Sequence, residues 1–227
     1  MSLLGLPKLA CVILAGALLA ACQSAVDLPP DVRRLPERVE LSGVPFFAEP
    51  AFAGAPGALA IMLSQQGVVT TPGLVAKQLG LPGGESRLEQ GFGRVANENG
   101  FVAYPLQRDL GELLVQIAAG YPVLVRFQAG MGWTSSPRYA VLVGYDRAQQ
   151  QLLFRSGASK RWPMDFAAFQ SAWQEAGRWA VLIQSPRQLP AEVVPQRWLA
   201  AASELEKTGQ KRLAQEAQKA LAGSQEN

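Results

Sequence analysis

Ala53-Gly-Ala-Pro-Gly-Ala-Leu-Ala60 is the stretch from which the fold is read. Pro56 suits a first helical turn, where its missing N–H costs nothing, and Gly57 to Gln66 is apolar on nearly every side. A helix apolar all round is an interior helix, so the pattern predicts a buried helix over 55–66. Working outward, Thr71-Pro72 starts a short helix to Leu79, and Leu81-Pro82-Gly83-Gly84 is a loop. Ser86-Arg-Leu-Glu89 has the form of a capping box for a helix to Asn99. Asp109 caps another, in which Leu110, Leu113, Leu114 and Ile117 recur at helical spacing until Gly120 ends it. The second half changes period. Pro122–Phe127, Tyr139–Tyr145, Gln151–Arg155 and Arg178–Gln184 are short runs rich in Val, Leu and aromatics, separated by turns such as Asp146-Arg147 and Ser156-Gly157. A helix at 165–176 aligns Phe166, Phe169 and Trp173 on one face. Helices first and an antiparallel meander second define an α+β class.

The ends of the chain read differently. Residues 1–21 form a signal peptide, with Lys8 its sole charge and an apolar run from Leu9 to Ala21 too short to span a bilayer. Leu19-Ala-Ala-Cys22 resembles the lipobox of bacterial lipoproteins, which implies a diacylglycerol on Cys22 as the mature N-terminus. Residues 22–43, with Leu28-Pro29-Pro30 and Pro36, read as lipid anchor and tether without fold. The folded domain is expected over 44–185, a Pro-rich linker over 186–195, and a helix pair with its tail over 196–227. The Trp198, Gly209, Ala214, Ala217 and Leu221 pattern of that pair is similar to one tetratricopeptide unit.

Composition excludes more than it admits. The 227 residues contain no His and two Cys, and in the lipobox reading Cys11 departs with the signal while Cys22 carries lipid. The mature chain therefore lacks imidazole and free thiol, which removes zinc clusters, disulfides and Cys-His or Ser-His catalysis. Loss of Lys8 leaves 20 basic against 18 acidic residues, a balance of +2 that forms no basic patch, so no nucleic acid partner is expected. No metal cluster, phosphate loop or other cofactor site assembles from the motifs.

Val44-Pro-Phe-Phe-Ala-Glu49, taken with Ala53–Ala60, resembles the opening of the bacteriocin-processing cysteine peptidases, the double-glycine leader peptidases of papain-like fold. There Val-Pro-Phe-Phe-Pro-Gln precedes Gln-Cys-Gly-Pro-Ala-Ala-Leu-Ala. Arg138-Tyr-Ala-Val-Leu-Val-Gly-Tyr-Asp146 is similar to the family's His-Tyr-Ala-Val-Val-Val-Gly-Tyr-Asp. The resemblance covers about residues 41 to 185 and implies N-terminal helices packed on an antiparallel sheet, here followed by a C-terminal helical hairpin. Family chemistry takes a thiolate at a helix N-terminus, a His on a facing strand, an upstream Gln for the oxyanion and an orienting Asp or Asn. Matched residue by residue, those positions hold Gly54, Arg138, Glu49 and Ser156.

Glycine has no nucleophile, arginine stays protonated and a carboxylate has no proton to donate, so the resemblance implies a pseudoenzyme. A Ser159-Lys160 dyad is a poor substitute, because neighbours on an extended segment point apart, and the pair reads as a solvated loop. Three arrangements of the altered site stand open. Glu49 and Arg138 pair across the space left by Gly54; or Arg138 and the amides after Gly54, beginning with Ala55, capture a carboxylate such as a peptide C-terminus; or both side chains simply point to water. Trp133, in the loop before Arg138, is either a wall of a peptide groove or buried against Pro137. The expected function is a lipid-anchored envelope protein that binds a peptide or extended protein segment without cleaving it. The alternatives are a structural subunit of an envelope assembly and, behind it, an active peptidase. The sorting rules of the lipoproteins that the lipobox resembles imply the outer membrane, facing the periplasm, because Gln23 and not Asp follows Cys22.

Overall fold

The computed structural model describes residues 26–107, 109–130 and 135–225. Its centre is β4 (Ser136–Asp146), which pairs antiparallel with β3 (Val123–Ala129) on one edge and β5 (Gln151–Ser156) on the other. Outward from β5 comes β6 (Ser159–Asp165), and outward from β3 come β7 (Ala180–Gln184) and β2 (Val102–Pro105). β1 (Arg38–Glu40) takes the last residues of β4, beyond the reach of β3. Gly144 makes that approach possible, because a Cβ there would lie 2.6 Å from the Val39 carbonyl oxygen. The register slips on the β5 side of the same place, between Leu142 and Gly144.

Side chains alternate across the sheet and feed two apolar layers. On one face Leu124, Tyr139, Val141, Val143, Val181 and Ile183 meet α1 (Ala55–Gln65), α2 (Pro72–Gln78) and α3 (Leu88–Glu98). On the other, Val123, Val125, Phe127, Ala140 and Leu142 meet α4 (Leu110–Ala118), α5 (Phe166–Glu175), α6 (Pro195–Lys207) and α7 (Lys211–Gln225). The antiparallel α+β architecture is as the sequence implies. α1 is the interior helix its composition requires, buried from Ala55 to Leu63. Thr71 caps α2 by accepting from Leu74 N–H, and Asp109 caps α4 by accepting from Gly111 N–H.

Several expectations are corrected. The capping box at Ser86–Glu89 does not form: a 3₁₀ turn over Glu85–Arg87 comes first, α3 starts at Leu88, and the Glu89 carboxylate pairs with Arg126 instead. Ser159-Lys160 lies not in a loop but in β6, an edge strand whose alternation is masked by charges and by Pro163. The segment 26–43 is no free tether. Val32 is 1% exposed within the main core, β1 joins the sheet, and Arg147 donates to the carbonyls of Arg33, Leu35 and Pro36.

The C-terminal helices belong to the same core as the sheet. Trp198 is fully buried beside Tyr104, its indole N–H donating to Ala217 O at 2.8 Å, and Arg197 pairs with Glu112 at 2.7 Å. Trp198→Ala is therefore expected to lower the stability of the whole domain by about 3–5 kcal/mol, read as a shifted single transition in urea unfolding.

Candidate functional site

The approach to α1 sets the site. Glu49 N–H donates to Gly157 O at 3.2 Å, which fixes the incoming chain against the end of β5, and Glu49 Oε1 accepts from Ala51 N–H at 2.7 Å. The chain then passes through three successive left-handed residues, Phe52 (φ 49), Ala53 (φ 58) and Gly54 (φ 78). Two of these carry a Cβ, and such conformations cost of order 1–3 kcal/mol each. Phe52 is left 38% exposed by the turn. Gly54 ends it as the N-cap of α1.

Gly54 sits against the sheet. A Cβ built on it would lie 3.0 Å from Tyr139 O and 3.9 Å from Gly157 N. The same Tyr139 carbonyl accepts from the buried Ser156 hydroxyl at 3.3 Å. A Cβ on Gly57 would meet Glu49 Cβ at 2.9 Å, so the Glu49 stem covers the first turn of α1. Of the amides there, Ala55 N–H donates to Phe52 O and Pro56 has none. The space bounded by Phe47, Glu49, Gly54, Tyr139, Ser156 and Gly157 leaves no room for a water molecule.

Arg138 neighbours this space without entering it. Alternation along β4 puts its side chain with Phe127, its partner in β3, opposite to Tyr139. The guanidinium lies over Trp162 of β6, 6.0 Å from the ring centre, with Nη1 3.1 Å from where a Cβ of Gly157 would stand. No ion pair joins Glu49 to Arg138, and the carboxylate is engaged at Ala51. The expected closing pair is therefore absent. The rival carboxylate pocket is not open either, since Ala55 is fully buried with its N–H bonded and Glu49 lies over Gly57. Glu49, Gly54 and Ser156 do line one space, with Arg138 at its edge. Trp133 and Cys22 lie outside the described residues.

Four side chains that the sequence did not assign to the site shape its surroundings. Tyr139 packs edge-on to Phe92 and Trp179, and burial pushes its phenol up. Beside it Glu89 and Arg126 form an ion pair at a hollow of about 140 Å³. Burial raises the Glu89 carboxyl more than Arg126 lowers it. Arg155, 4% exposed, donates to Pro45 O at 2.8 Å and to Ser42 O at 3.1 Å, so it pins the segment leading to Glu49. Burial lowers its pKa. The sequence signal for Tyr139 was its place beside Arg138; the other side chains are joined by the fold.

Residues 53–181, more than half of the chain, match the Peptidase_C39 like family, and the chain belongs to it. Among solved structures it is similar to a putative C39-like peptidase from Bacillus anthracis, at 20% identity and a TM-score of 0.52 over 65% of this chain and 98% of that one. It is also similar to xylellain, a cysteine protease from Xylella fastidiosa, at 10% identity and a TM-score of 0.50 over 70% of this chain and 90% of that one. At these identities the likeness is one of fold. No curated protein matches the chain significantly.

Two outcomes follow from this geometry. Gly54→Ala places a Cβ against Tyr139 O in a left-handed conformation and is expected to cost about 1–3 kcal/mol in urea unfolding. Because folding raises the Glu89 pKa, the folded state holds that proton more tightly than the unfolded chain. Stability of the wild type relative to Glu89→Gln is therefore expected to fall as pH rises above the ordinary glutamate value, checked by paired unfolding curves at pH 4 and pH 7.

Proposed function

We propose that the protein is a lipid-anchored pseudopeptidase of the C39-like family, which holds a peptide or extended protein segment at the rim of a closed site without cleaving it. The observation that carries this reading is the position of Gly54: the helix N-cap offers no side chain and stands against a backbone carbonyl that leaves none room. Arg138 cannot replace a general base, since it stays protonated and points to Trp162. What the rim does offer is binding chemistry. Phe52 is exposed, Arg138 lies over an aromatic ring, and the Glu89–Arg126 pair borders a hollow beside Tyr139. Cys22 carries the lipid, and the protein sits on the outer membrane facing the periplasm.

A second reading, a structural subunit of an envelope assembly, is favoured by the absence of open space at the site and by exposed Leu199 on α6. In it the tetratricopeptide-like pair α6–α7 makes the contact. Removing residues 196–227 would strip Trp198 from the core, so a surface variant is the better probe.

The purified chain from Gln23 is expected to release no fragment from unfolded casein or from peptides ending in Gly-Gly, as read by mass spectrometry. Specific cleavage that tracks the protein would restore an enzyme. In affinity capture from solubilised envelope, a partner lost with Arg138→Ala and kept with Leu199→Glu supports binding at the rim. The reverse pattern makes the domain a scaffold.

A further inference from the structure

The docked segment that begins at Val26 fixes how the folded body meets a bilayer. Val26 is held at both backbone groups by one side chain, its N–H donating to Gln150 Oε1 at 2.9 Å and its O accepting from Gln150 Nε2 at 3.2 Å. Arg147, in the same turn between β4 and β5, holds the next stretch through the Arg33 and Pro36 carbonyls, each at 3.1 Å. Val32 is buried between these anchors, and β1 completes the attachment. Gln23, Ser24 and Ala25 alone separate Cys22 from Val26. Four Cα–Cα steps reach at most about 14 Å whatever their conformation. A lipid on Cys22 is thus confined to the neighbourhood of the β4–β5 turn.

The candidate site stands at the other end of the same strand. β4 runs from Arg138, beside the site, to Asp146, at the turn, and eight residues of strand span about 26 Å. We propose that the β4–β5 turn, together with residues 26–34, is a membrane-contact face that rests on phospholipid headgroups, with the site rim held away from the bilayer in the aqueous compartment. This rests on lipidation of Cys22 as given under Proposed function. The chemistry of the face fits the headgroup layer and not the acyl layer. It presents Ala148, Gln149, Arg34 and the Arg33–Asp27 ion pair to solvent, and the large exposed apolar side chains of the described residues, Phe52, Val69, Leu74 and Leu199, lie elsewhere in the chain. Charges of both signs make the contact independent of anionic lipid.

The acylated chain has no other thiol, so single cysteines take a label cleanly. Lipidated Gln149→Cys and Ser136→Cys, each carrying one fluorophore, are reconstituted in phosphatidylethanolamine–phosphatidylglycerol vesicles containing lipid with a headgroup spin label. Both positions are exposed and lie at opposite ends of β4 or its turn. The Gln149 label is expected to be quenched at least threefold more than the Ser136 label. Inserting thirty Gly/Ser residues after Ser24 should bring the two within a factor of about 1.5, since such a linker lets the body tumble. Equal quenching without the insertion, in protein whose Cys22 acyl mass is confirmed, overturns the orientation while leaving the lipid anchor standing. A difference that survives the insertion overturns the role of the short linkage. Absence of the acyl mass overturns the anchor itself and the proposal with it.

Discussion

The period-two alternation of β4 is the constraint on which the rest of the molecule depends. Tyr139, Val141 and Val143 must enter one apolar layer, which sends Ala140 and Leu142 into the other. Both layers are needed, because α1–α3 pack on one face and α4–α7 on the other. The register also settles the site. Once Tyr139 is committed to the α1–α3 face, Arg138 is turned toward Phe127 and Trp162, and its backbone neighbour presents a carbonyl to Gly54. A glycine at the head of α1 and an arginine withdrawn from it are two consequences of one packing arrangement.

Much of the fold was legible because its strongest elements are locally determined. The all-round apolarity of 55–66, the cap at Asp109 and the Phe166, Phe169, Trp173 stripe each name a helix from a dozen residues. Elements defined by partners were harder to read. β1 is three residues long and exists because Gly144 lets it approach, and β6 carries Lys160, Arg161 and Pro163 because only one of its edges is paired. The Ser86–Glu89 capping pattern was outbid by an arginine thirty-seven positions away in the chain, whose position no local rule contains.

At the site, the sequence located the positions but not their directions. Glu49, Gly54, Ser156 and the edge residue Arg138 do converge, as their order in the matched segments implied. The proposed partnership between Glu49 and Arg138 failed because a one-dimensional pattern says which strand a residue lies on and leaves its face to the register. Glu49 found a nearer donor in Ala51, two residues on. Membership in the C39-like family thus fixes the framework of the site, while its chemistry rests on individual side chains.

The uneven ends of the sheet carry a further consequence. α6 packs along β2, whereas β6 ends the opposite side with no strand of the described residues on its outer edge. An open strand is a template for adding another copy of the same chain. Pro163 removes one donor from that template and Lys160 adds a charge to it, while Arg161 is tied to Glu40 of β1 at 2.7 Å. The residues that hid β6 from the sequence reading are those that make its open edge a poor template for an identical strand.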